Sequence, residues 1–103
     1  MSLKIQILPE NYAAVLKNIN AIIEPTRVQP GCLDCCVSQD IDDESSLLLI
    51  EEWAEEEQLQ RHIRSEDFKV ILAMMELSQT EPEFKIHTII ETKGIDSLLT
   101  MQS

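Results

Sequence analysis

Basic side chains are scarce in this sequence: 8 Lys and Arg stand against 19 Asp and Glu, a formal net charge of −11. Clustered cations are what hold a phosphate backbone, so nucleic acid is excluded as a partner, and an anionic membrane surface with it. Long apolar runs are missing too, and none approaches the roughly 18 residues of a membrane helix. Met1-Ser2-Leu3-Lys4 lacks the apolar stretch and cleavage site of a secretory signal. The three cysteines, all within residues 32–36, make no disulfide framework. The expected compartment is therefore the reducing cytoplasm. Aromatics are only 4% of the chain, so a core drawn from its 44% apolar residues must be aliphatic. The 103 residues suffice for a single domain over 1–103, with a core over about 3–92 and a C-terminal arm over 93–103. A chain this short buries a small share of its surface, and self-association is a natural way to bury more.

What is present reads as alternating elements. Leu3, Ile5 and Ile7 alternate with Lys4 and Gln6, the pattern of a strand. Tyr12, Val15, Leu16, Ile19, Ile22 and Ile23 recur at spacings of three and four, one stripe of a helix that Pro25 is expected to kink or end near Glu24. Pro30-Gly31 punctuates, Cys32 to Ile41 reads as a second strand, and Asp42-Asp43-Glu44-Ser45 as a polar turn. A third strand runs from Leu47 to Trp53; its four consecutive aliphatics, Leu47 to Ile50, predict cover on both faces, helices on one and a second subunit on the other. Ala54-Glu55-Glu56-Glu57 opens a helix that carries Leu59, His62 and Ile63. Ser65 is the expected N-cap of a further helix with its stripe at Phe68, Ile71, Leu72, Met75 and Leu77. After Pro82 a last strand sets Phe84, Ile86, Thr88 and Ile90 on one face and Lys85, His87, Ile89 and Glu91 on the other. Gly94 breaks it, and Ile95 to Met101 forms an apolar arm, on the sheet or on a partner. The order β-α-β-β-α-(α)-β is the ferredoxin-like α+β arrangement, a four-stranded antiparallel sheet with helices on one face.

Cys32-Leu33-Asp34-Cys35 has the form of a redox or zinc pair. On a regular strand, residues three apart point to opposite faces, and Cys32 and Cys36 lie about 13 Å apart. No metal site is expected, and the thiols read as small buried hydrophobes. Asp40, Asp42, Glu44 and Glu51 imitate calcium-loop spacing, but Ser45 stands where that loop needs glycine, so a hairpin turn is the reading. Trp53 at a strand end is either core or the wall of a pocket. His62 is either a packed helix residue or a base, since imidazole titrates near neutrality. Phe68, Leu72 and Met75 pack a core or line a pocket, methionine adapting well to irregular ligands.

From Pro30 onward the chain resembles the antibiotic biosynthesis monooxygenase family. Pro30-Gly31-Cys32-Leu33 matches the family's entry to the second strand, Glu51-Glu52-Trp53 its glutamate-x-tryptophan strand end, and His62, Ser65 and Phe68 the residues that follow. The likeness spans about residues 25–92; Cys35 replaces the family's usual aromatic and Glu52 a usual apolar residue. The resemblance implies a dimeric α/β barrel, hence a homodimer. It implies a cofactor-independent monooxygenase, without metal or flavin, for a small apolar or aromatic, quinol-type molecule in a pocket between sheet and helices. His62 and Trp53 are then the candidate catalytic residues, and Phe68, Leu72, Met75, Cys35 and His87 the candidates for binding the substrate. The alternative is a non-catalytic, small-molecule-binding dimeric barrel. A haem-degrading relative fits less well, because such members space their ligand histidine differently after the tryptophan and favour basic surroundings. The substrate's identity is not legible.

Overall fold

The computed structural model describes residues 1–103. In chain order the elements are β1 (Ser2–Gln6), α1 (Pro9–Arg27), β2 (Cys32–Gln39), β3 (Ser46–Trp53), α2 (Glu56–Ile63), α3 (Glu66–Glu76), β4 (Glu83–Lys85) and α4 (Ile95–Met101). The strands form one antiparallel sheet in the order β2-β3-β1-β4. This is the expected ferredoxin-like α+β fold. No helix is long and apolar enough to cross a membrane.

Alternation decides which face is the inside. Leu3 lies opposite Leu49, and Ile5 opposite Leu47. All four are buried, as are Val15, Ile19, Ile22 and Ile23 of α1 and Phe68, Ile71 and Met74 of α3. The buried core contains no residue beyond Met74. Leu48 and Ile50 point to the other face and are half-buried, among the exposed Lys4, Ser38 and Glu52. This chain supplies no element to cover that face.

Three local expectations need correction. Helix α1 passes through Pro25 and stops only at Arg27. The missing N–H sits in the last turn and releases just the Ala21 carbonyl, so two more residues continue before the chain turns. Arg27 then ties the helix end to the sheet, its Nε donating to the Cys35 carbonyl at 2.9 Å.

Strand β2 ends at Gln39 rather than Ile41, because the turn begins at Asp40, whose carboxylate accepts the Asp42 N–H at 2.8 Å. Asp43 accepts from the Ser45 hydroxyl and N–H and from Gln6 Nε2. These donors, the Ser45 hydroxyl first, hold its carboxyl below the ordinary value.

The last strand stops at Lys85 instead of running to Glu91. Lys85 lies opposite Ser2, the first residue of β1. Residues 86–93 make no backbone hydrogen bond, and α4 beyond them buries nothing.

Candidate functional site

The alternation that buries Leu47 and Leu49 continues to Glu51 and Trp53, so β3 delivers a carboxylate to its inner face, where Glu51 is 1% exposed. A buried carboxylate is costly unless donors meet it. Trp53 Nε1 donates to Oε1 at 3.0 Å, and His62 Nε2 lies 3.1 Å from Oε1 and 3.2 Å from Oε2. With the carboxylate ionised, and so only accepting, Nε2 is the nitrogen that carries the proton, and His62 Nδ1 is a buried ring nitrogen with no partner. The imidazole sits against the Trp53 ring, centroids 4.9 Å apart, and the Phe68 ring meets it edge-on at 5.6 Å. The Glu51 backbone is fixed as well, its N–H donating to the Met1 carbonyl at 2.9 Å and its carbonyl accepting from the Met1 nitrogen at 2.8 Å.

His62 reaches this position because α2 is set down on a glycine. Gly31 has φ +87°, and a Cβ there would collide with the Gln58 amide. Gln58 Oε1 in turn accepts the Glu55 N–H at 3.1 Å, and the Ala54 N–H donates to the Gly31 carbonyl at 2.8 Å. Helix α2 therefore begins at Glu56, two residues later than expected, because residues 54 and 55 are spent on this junction. Ser65 is the N-cap residue of α3, as expected, though its hydroxyl donates backward to the His62 carbonyl at 2.6 Å and makes no capping hydrogen bond.

The cysteines also need correction. A register shift between Cys32 and Asp34 places Cys32 opposite Trp53 and Cys35 opposite Glu51. The bulge absorbs one residue, so the two thiols share the inner face despite their spacing of three. All three cysteines are free. Burial, and then the Glu51 charge, push the Cys35 thiol up to about 12 and raise that of Cys32.

Of the residues expected at a site, His62, Trp53, Phe68 and Cys35 thus gather around Glu51. Met75 is half-buried on α3, where Met74 is the one fully inside, and Leu72 is exposed. The stripe of α3 passes through Phe68, Ile71 and Met74, which turns Leu72 outward. His87 is exposed in the unpaired segment after β4, outside the cluster. The residue at the centre of this cluster that sequence reasoning did not single out as a candidate is Glu51. Its signal was available: an acid in phase with Leu47, Leu49 and Trp53 stands on a buried face.

Open space is limited. The gap bounded by Leu3, Ile5, Ile19, Val37, Leu47, Leu49 and Met74, between sheet and helices, has no room for a water molecule. A recess of about 200 Å³ lies at the other end of the sheet, among Ile7, Pro9, Tyr12, Gln39, Glu44 and Ser45.

A family model described as antibiotic biosynthesis monooxygenase matches residues 1–74. A conserved protein from Methanosarcina mazei Go1 has a similar structure, with 32% identity, a TM-score of 0.74, and coverage of 80% of this chain and 82% of that one. A structure described as an antibiotic biosynthesis monooxygenase aligns with a TM-score of 0.78 at 23% identity over 87% and 96% of the two chains. A protein from Mycobacterium tuberculosis aligns with a TM-score of 0.80 at 19% identity over 90% and 95%. An uncharacterised protein of Synechocystis is 27% identical over 92 residues, which are 88% of this chain and 63% of that protein.

Proposed function

Because the chain belongs to the antibiotic biosynthesis monooxygenase family, we propose that it is a cofactor-independent monooxygenase acting on a small aromatic, quinol-type molecule beside Trp53 and His62. One observation carries this reading: the Glu51–His62 pair holds the imidazole by Nε2 and leaves Nδ1 bare, facing no protein donor. A bare imidazole nitrogen accepts a proton from a phenolic O–H, and Glu51 stabilises the imidazolium so formed. The substrate anion then gives an electron to dioxygen. One oxygen atom enters the ring and the other leaves as water, the two further electrons and protons coming from the quinol itself, which ends as a hydroxyquinone. Trp53, half-buried while its N–H is anchored on Glu51, is the wall through which a substrate reaches Nδ1.

A second reading is a non-catalytic binding protein, supported by the recess of about 200 Å³ among Ile7, Pro9, Tyr12, Gln39, Glu44 and Ser45, which lies away from His62. Oxygen uptake with a panel of hydroquinones separates the two. Turnover by the wild type, lost in His62→Ala and reduced at least tenfold in Trp53→Phe, is expected. Saturable quinol binding without any oxygen consumption would leave only the binding protein.

A further inference from the structure

The turn between β2 and β3 borders open space that the chemistry at His62 leaves unused. The recess there measures about 200 Å³, among Ile7, Pro9, Tyr12, Gln39, Glu44 and Ser45, the volume of about seven water molecules in the liquid. Ile7 is fully buried and Tyr12 packs against the core, so these two give the recess its apolar surface. The backbone on either side of Glu44 is held in place. Gln39 Nε2 donates to the Glu44 carbonyl at 2.8 Å, and the Ile7 N–H donates to the Ser45 carbonyl at 2.8 Å.

The polar capacity left in this lining is mostly of one kind. The Glu44 carboxylate takes part in none of the chain's hydrogen bonds or ion pairs; only its backbone carbonyl is used. Gln39 Oε1 is free while its Nε2 is engaged. The Ser45 hydroxyl directs its hydrogen at Gln6 Oε1 and Asp43 Oδ1, at 2.8 and 2.6 Å, and can only accept more. Two hydrogens remain to donate, one on the Tyr12 hydroxyl and one on the Gln39 amide. Acceptors therefore outnumber donors, and the one charge among them is negative. An ammonium group has the opposite inventory, three donors and no acceptor.

Other ions fit poorly. A divalent metal needs several oxygen ligands, but Asp40 and Asp43 are turned to backbone N–H groups, and no three metal-ligating side chains cluster anywhere in the chain. Helix α1 begins at this rim, where its dipole would favour an anion. Yet Pro9 has no N–H to offer, and Glu10 in the first turn already supplies the negative charge.

We infer that this recess binds a small primary ammonium compound with a flat apolar body. The cation meets the Glu44 carboxylate and Gln39 Oε1, and the body lies on Ile7 and the Tyr12 ring. The site is at the far end of the sheet from His62, so amine binding and quinol turnover are separate outcomes, and either holds without the other.

Titration of the isotope-labelled full chain with benzylamine, protonated at neutral pH, tests this through backbone amide shifts. Salt at about 0.15 M cuts the screening length to roughly 8 Å and so removes the general pull of the acidic surface. Saturable shifts are expected in residues 7–12 and 39–46. Benzyl alcohol, similar in size but uncharged, is expected to bind about fivefold more weakly, the upper range for an exposed ion pair. n-Butylamine, which copies a lysine side chain, is expected to bind about threefold more weakly, because it leaves the Tyr12 ring uncovered. Glu44→Gln removes a charge that no protein group meets, so it is expected to fold with an unchanged melting temperature. It is expected to weaken benzylamine about fivefold and to leave benzyl alcohol unaffected. Glu57→Gln, the same charge change on α2, is expected to do neither. No saturable shift, or shifts elsewhere, overturns the site. Equal binding of the alcohol, no effect of Glu44→Gln, or an equal effect of Glu57→Gln overturns the ammonium class. n-Butylamine binding as tightly as benzylamine overturns the small-molecule ligand in favour of a lysine side chain.

Discussion

At the scale of single residues, the Glu51 carboxylate governs its neighbours. It is buried, it takes both polar hydrogens that reach it from Trp53 and His62, and after burial its charge is the next cause that raises the two nearby thiols. Removing one member of such a pair strands the other charge in the interior, whereas removing both does not. His62→Leu is therefore expected to destabilise the fold by about 3–5 kcal/mol, and Glu51→Met/His62→Leu by clearly less than that single change. Urea unfolding at pH 7 measures both, and a double variant no more stable than His62→Leu would contradict the burial argument. The Cys35 thiol titrates higher in the folded chain, at about 12, than when unfolded, so the folded state favours its proton. That contribution is complete below the unfolded value near 9 and is lost as pH rises toward 12. Cys35→Val is expected to flatten the fall of stability over this window, and an unchanged alkaline profile would show that Cys35 does not cause it. Trp53 and His62 were legible as candidates from residue type and spacing. Their meeting through Glu51 was not, since a contact across eleven residues and two elements leaves no periodic mark.

At the scale of elements, the junction between Gly31 and α2 sets where His62 arrives. Gly31→Ala meets two penalties, a left-handed backbone and a displaced Gln58 amide. Because Gln58 ends in a flexible amide, the collision is relieved by movement, at the expense of the bond to the Glu55 N–H. The expected loss is about 1–3 kcal/mol in thermal or urea unfolding, smaller when tested in a Gln58→Ala background. Equal losses in both backgrounds would place the whole effect in the backbone. Strand and helix types were readable throughout, because period-two and period-3.6 patterns depend on neighbours a few residues apart. Ends were less so. Pro25 falls inside a helix because it comes one turn from the end, and β4 stops at Lys85, opposite the first residue of β1.

At the scale of the whole molecule, a net charge of −11 on 103 residues repels itself. Raising sodium chloride from about 10 mM to about 150 mM shortens the screening length from roughly 30 Å to 8 Å. The melting temperature is expected to rise by a few degrees over that range, and a fall would show that local ion pairs outweigh the repulsion. The sequence by itself determined the order and type of the elements and the net charge of −11, properties of short-range period and composition. Only the tertiary structure decided that Cys32 and Cys35 share a face, through a one-residue bulge. It alone showed that His62 is held by one nitrogen with the other free, and that the strand-like residues 86–93 pair with no strand of the chain. Those outcomes depend on which distant segments come to lie side by side, and pairing of that kind is settled by packing the chain, not by reading along it.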